Sequence, residues 1–120
     1  MKVDSADRLA VVFFYARWCR NCKAVGPIYK RLAREFKSAA FYKVNFKQET
    51  ELCYQERVFS FPSVHIYLPG VGRVSRCVLT ASDAETKLRA ELGRFLGNDG
   101  AQLALLRRIS TAVSECGWVK

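Results

Sequence analysis

Two cysteines with two residues between them, Cys19 and Cys22, are the first feature of this chain that can do chemistry. Thiols at that spacing can close to a disulfide and reopen, and so exchange electrons with a second disulfide. They follow an apolar run and open a helical pattern, in the segment Trp18-Cys19-Arg20-Asn21-Cys22-Lys23. A helix N-terminus presents unpaired N–H groups and the positive end of the helix dipole, which stabilise a thiolate. Cys19 is then the outward nucleophile. Cys22, inside the first turn, is placed to resolve a mixed disulfide. Half of a zinc site is the rival reading, but it needs a full tetrahedral ligand set. The remaining candidates, His65, Cys53, Cys77 and Cys116, supply no second close pair. A purely structural pair is the other alternative. The strand–motif–helix setting favours redox chemistry over both, with no metal and no cofactor.

Other residues are weighed against blander roles. Trp18 adjoins the nucleophile and offers a flat contact for a substrate. Cys53, in a short helix, and Cys77, in an edge-like strand, are candidates for a secondary redox role or are simply small apolar residues. Cys116 is expected to be exposed, His65 and Tyr15 to be core residues, and Trp118 to pack in the tail.

The elements that position the pair follow from patterning. Residues 10–16 are continuously apolar and suit a strand buried on both faces. Val25, Ile28, Tyr29, Leu32, Ala33 and Phe36 form one stripe of the next helix. Pro27 falls inside it and should bend it. Residues 40–46 and 63–68 read as strands, 49–58 as a short helix, 69–72 as a turn and 73–79 as a fourth strand in a hairpin. Ser82 and Glu85 form a capping box for a helix carrying Leu88, Leu92, Phe95 and Leu96. A break at 97–100 precedes a further helix over 101–116. This order gives a mixed α/β sheet with helices on its faces. The domain is expected over 1–97, with 98–120 a helical extension of it.

Composition bounds the rest. The chain has 120 residues, enough for one domain with one core, and half are hydrophobic. Lys and Arg number 20 against 11 Asp and Glu, a net charge of +9. A basic surface favours acidic partners. The cations are scattered, so a nucleic-acid face is not expected. No stretch approaches the ~20 apolar residues of a membrane span. The first nine residues carry Asp4 and Asp7 and do not read as a signal peptide. Five cysteines, an odd number, fit reactive thiols in a reducing compartment better than a secreted disulfide framework.

Val12 to Phe36 resembles the active-site segment of the thioredoxin family: an apolar strand, Ala16, Trp18-Cys-x-x-Cys-Lys23 and then Pro27. Phe61-Pro62-Ser63 resembles that family's cis-proline loop. The resemblance covers about residues 10–96. It implies a thioredoxin-like fold and a thiol–disulfide oxidoreductase acting on protein disulfides, with a thioredoxin reductase or glutathione as electron donor. It also implies a cis Pro62, which the sequence alone marks only as a strand start, and substrate contacts from Trp18, Phe61, Pro62 and Thr80. Leu52-Cys53-Tyr54, Gly72-Arg73-Val74, Cys77 and the Cys-Arg-x-Cys centre resemble atypical plastid thioredoxins of plants and algae. That resemblance implies a plastid stroma, with the cytoplasm as the alternative, a monomer, and peroxiredoxins or stromal enzymes as targets.

Departures from the family pattern carry expectations too. Typical thioredoxins hold Gly-Pro between the cysteines, whereas this chain holds Arg20-Asn21. Arg20 stabilises the thiolate, so the centre should be less reducing. Asn21, Lys23 and Lys43 are further tuning residues. Where the family carries a buried acid that deprotonates the resolving thiol, this chain has Phe13, and Lys43 matches the lysine near that acid. Cys22 is therefore expected to resolve slowly. A full thioredoxin has another strand and helix before the first strand seen here. Either the sheet is trimmed to four strands or the chain is incomplete, and the helix at 101–116 is expected to cover the surface left open. A non-catalytic interaction module and a disulfide oxidase or isomerase are the competing functions.

Overall fold

Strand β1 (Ala10–Tyr15) is apolar at every position and lies inside the sheet, as its continuous hydrophobicity requires. In the computed structural model, which describes residues 8–96, β1 leads to α1 (Arg20–Glu35), β2 (Ala40–Asn45), α2 (Thr50–Gln55), β3 (Ser63–Leu68), β4 (Gly72–Val78) and α3 (Ala84–Leu96). The sheet order is β2-β1-β3-β4. β1 runs parallel to β2 and antiparallel to β3, and β3 pairs antiparallel with β4. This is the expected mixed four-stranded sheet. Cys77 is on an edge strand, as expected.

The sheet separates two apolar clusters, because successive side chains on a strand alternate faces. Leu9, Val11 and Phe13 of one parity pack with Val25, Tyr29 and Leu32 of α1 and Leu88, Leu92 and Phe95 of α3. Ala10, Val12 and Phe14 pack on the other face with Val44, Cys53 and Val58. The helical stripe expected for α1 is thus the buried one, and α1 runs unbroken through Pro27. The Tyr29 hydroxyl lies 3.0 Å from the Val11 carbonyl and 2.7 Å from that of Tyr42, tying α1 to β1 and β2. Across the surface, Arg89 donates to both carboxylate oxygens of Glu35 and to Glu85, linking α3 to α1.

Element ends differ from expectation for local reasons. Helix α2 stops at Gln55 rather than at 58, because Arg57 takes a left-handed φ of 58° and the Val58 N–H turns back to the Cys53 carbonyl at 2.8 Å. The Ser82–Glu85 capping box is corrected. Helix α3 begins at Ala84, and the turn before it is closed by the Asp83 carboxylate accepting from the Thr80 N–H at 2.8 Å. Ser82 instead pairs with the Thr80 hydroxyl, and Glu85 is held by Arg31 and Arg89. The hairpin turn uses Gly70 and Gly72 at φ 73° and 115°, a region that L side chains rarely enter. The helix at 101–116, the extension over 98–120, Cys116 and Trp118 lie outside the described residues. Among the described residues no helix is long and apolar enough to cross a membrane.

Candidate active site

Cys19 is the N-cap of α1, in an extended conformation with φ −83° and ψ 114°. Its Sγ accepts a hydrogen bond from the Cys22 backbone N–H at 3.1 Å. A sulfur therefore does the work that a Ser or Asp oxygen usually does at a helix start. The first turn of α1 holds no acidic residue, so the positive helix end meets the sulfur without a competing carboxylate. Cys19 is half-buried, within reach of a partner, whereas Cys22 is buried. Both are free thiols. Arg20 and Asn21 are exposed in the first turn.

The Cys22 thiol is pushed up to about 12, first by burial and then by its hydrogen bond with Cys19. It faces a cavity of about 380 Å³ under the start of α1. Phe13 and Tyr15 form an aromatic wall there, their rings 5.7 Å apart, and Phe13 also stacks on Tyr29 at 4.8 Å. Lys43 is the register partner of Phe13 across β1 and β2, and its Nζ stands 5.2 Å from the centre of the Tyr15 ring. Tyr15, expected in the core, is only partly buried, because it lines this opening. Lys23 lines the cavity as well, so two of the four tuning residues, Lys23 and Lys43, meet at Cys22.

A second surface lies around Trp18, the neighbour of Cys19 in the chain. Phe14 pairs with Ser63, which sets the Phe61–Pro62 loop against the end of β1 and the chain leading to Cys19. The Phe61–Pro62 peptide is cis. The Leu79 N–H donates to the Pro62 carbonyl at 3.0 Å, so exposed Thr80 stands beside this loop. Trp18 is 67% exposed, and its ring lies edge-on to Phe61 and Phe46 at 6.5 and 5.7 Å. Of the expected substrate contacts, Trp18 and Phe61 stand together, Pro62 is buried beside Phe61, and Thr80 is exposed next to the Leu79–Pro62 hydrogen bond. Sequence reasoning missed that Phe46, Tyr54 and Phe59 continue this surface as a chain of rings, with Tyr54 58% and Phe59 71% exposed. Two large aromatics flanking a short helix in a polar stretch were the available signal. A groove of about 600 Å³ beside Trp18 is bordered by Arg17 and Lys47.

Cys53 and Cys77, the other cysteines among the described residues, do not line the cavity at Cys22 or the groove beside Trp18. Cys53 packs in the α2-side cluster and Cys77 against the cluster under α1 and α3, so the sheet lies between them. Burial raises both thiols. His65 is fully buried, as expected, and its Nδ1 lies 3.2 Å from the Tyr67 hydroxyl, which donates to Glu56. Burial, aided by Arg73 and Arg76, pushes the imidazole down to about 3.

Comparison with known proteins places this geometry. A family profile described as Thioredoxin matches residues 1–92. Thioredoxin-2 of Saccharomyces cerevisiae is 35% identical over 62% of this chain and 70% of its own length. The thioredoxin of Geodia cydonium is 34% identical over 56% of the chain and 63% of its own. The solved structure of thioredoxin f2 from Chlamydomonas reinhardtii superposes with a TM-score of 0.69 at 30% identity, covering 79% of this chain and 85% of that one. The thioredoxin of Trypanosoma brucei brucei gives a TM-score of 0.70 at 28% identity, over 80% and 81% of the two chains. With its mixed sheet, its helix-capping Cys19 and its cis-proline loop, this chain belongs to the thioredoxin family, whose members are thiol–disulfide oxidoreductases.

Proposed function

We propose that this chain reduces disulfides in other proteins through Cys19 and Cys22. The observation that carries the reading is the half-buried Cys19 sulfur at the helix N-terminus, with the Cys22 N–H 3.1 Å away. The Cys19 thiolate attacks one sulfur of the client disulfide, and the other leaves as a thiolate. The client is then joined to Cys19. Cys22 loses its proton and attacks the Cys19 sulfur, the client leaves reduced, and a Cys19–Cys22 disulfide remains. Trp18, Phe61, Pro62 and Thr80 form the rim against which the client lies. Arg20, Asn21, Lys23 and Lys43 tune the thiols.

Clients of the peroxiredoxin or stromal-enzyme kind, a thioredoxin reductase or glutathione as donor, and a monomer acting in the plastid stroma complete the proposal. The plastid assignment is supported by 37% identity over 59% of this chain to "Thioredoxin-like 2, chloroplastic" of Oryza sativa, a protein matched over 33% of its length. The cytoplasm is the alternative. A disulfide oxidase is the second reading, favoured by the cation of Arg20 in the first turn of α1. The deciding experiment incubates the reduced protein with a disulfide-bonded protein such as insulin. Reduction that is lost in Cys19→Ser supports the proposal. Equal activity in Cys19→Ser, or net oxidation of dithiol clients, contradicts it.

A further inference from the structure

We propose that the cavity beside Cys22 binds a small oxyanion, a phosphate or carboxylate, which takes the Cys22 proton when the mixed disulfide is resolved. Three separate elements bring cations to it: Arg17 from the β1–α1 connection, Lys23 and Lys30 from α1, and Lys43 from β2. Lys23 and Lys30, with Pro27 between them, fall on one stripe of the helix. Among the described residues no carboxylate lines the cavity and none of these four cations forms a salt bridge. Phe13 and Tyr15 form one side of the cavity, and the four cations around it stand at exposed positions, open to an incoming anion. At about 380 Å³ the space admits a small molecule.

Cys22 supplies the second, independent observation. It is 5% exposed and faces this cavity, and it must lose a proton to act. Among the described residues the cavity's lining includes no carboxylate and no imidazole to receive that proton. A bound phosphate dianion can receive it. It takes the Cys22 proton and becomes the monoanion. The Cys22 thiolate forms a bond to the Cys19 sulfur as the bond from Cys19 to the client sulfur breaks. The client leaves as a thiolate and takes a proton from the monoanion or from water. The electron count is that of ordinary thiol–disulfide exchange.

This inference rests on the reading of Cys19 as nucleophile and Cys22 as resolving thiol. The test keeps the two apart. The full chain is prepared with 2-mercaptoethanol disulfide-linked to Cys19, a neutral adduct without an acid of its own. Its release is followed at neutral pH against inorganic phosphate, with chloride holding ionic strength constant. The expected result is a saturating acceleration of about tenfold or more. Sulfate, equally charged but not a base at neutral pH, should compete and lower the phosphate-dependent rate. Lys30→Ala/Lys43→Ala should lose the saturation, and Lys30→Glu, at an exposed helix position, is the second variant. A flat or linear phosphate dependence, or saturation retained in both variants, overturns the anion site alone. An adduct that Cys22 never releases overturns the underlying reading as well.

Discussion

Raising the pH should keep accelerating resolution by Cys22 well past the point where an ordinary thiol would level off. The thiol is raised from 9.0 to about 12, chiefly by burial. At pH 8 a thiol at its ordinary value is about one-tenth thiolate, whereas one at ~12 is about one part in ten thousand, roughly a thousandfold deficit. A more basic thiolate is a better nucleophile, and with a Brønsted slope of ~0.4–0.5 three pH units return about twentyfold. The net expectation is resolution roughly fiftyfold slower than for an exposed thiol. Part of the shift comes from Cys19 and disappears once Cys19 is in a disulfide, but burial, the largest cause, persists. The assay is stopped-flow release of the neutral Cys19 adduct in zwitterionic buffer free of oxyanions. The log rate should climb by about one per pH unit from pH 7 to beyond 10. A plateau near pH 9 would refute the argument that burial holds the proton on Cys22.

Arg20→Ala should make the midpoint potential more negative by about 10–30 mV, since removing the cation destabilises the reduced, thiolate form; a glutathione-buffer titration measures it, and an unchanged or less negative value counts against the role of Arg20. Buried His65 is neutral in the fold and lowered to about 3, so the unfolded chain binds its proton first as pH falls below ~6.5. Its contribution is thus complete above that pH and lost on acidification, by up to ~1.4 kcal/mol per pH unit down to the folded value, and denaturant midpoints for wild type and His65→Gln check the slope. Tyr29→Phe should destabilise the domain by about 1–2 kcal/mol, because the Val11 and Tyr42 carbonyls lose their shared buried donor. Urea unfolding measures that loss.

What the sequence made legible is what short-range pattern controls. The apolar run of β1 announced a strand buried on both faces, and the α1 stripe announced its packing face. Cys19 and Cys22 were legible because a Cys-x-x-Cys pair between strand and helix has few other uses. The start of α3 was not, since Ser82–Glu85 and Thr80–Asp83 both offer capping partners; in the fold Asp83 accepts from the Thr80 N–H and Glu85 is held by Arg31 and Arg89. Nor was the end of α2, because Arg57 enters a left-handed conformation usually marked by Gly or Asn. The cis Phe61–Pro62 bond came from family resemblance and not from local chemistry. The cation ring at Cys22 joins residues from separate elements, so the fold had to bring them together, whereas the aromatic run through Phe46, Tyr54 and Phe59 lies within one short stretch around α2. Lys23, Pro27 and Lys30 on one helical stripe were the only hint of the first.

The most direct test is capture with Cys22→Ser in an extract of disulfide-containing proteins, followed by peptide mapping. With the resolving thiol gone, the account predicts a stable disulfide between Cys19 and a client cysteine, released by dithiothreitol and missing when Cys19 is also replaced. Adducts carried by Cys53, Cys77 or Cys116 in place of Cys19, or none at all, would contradict it.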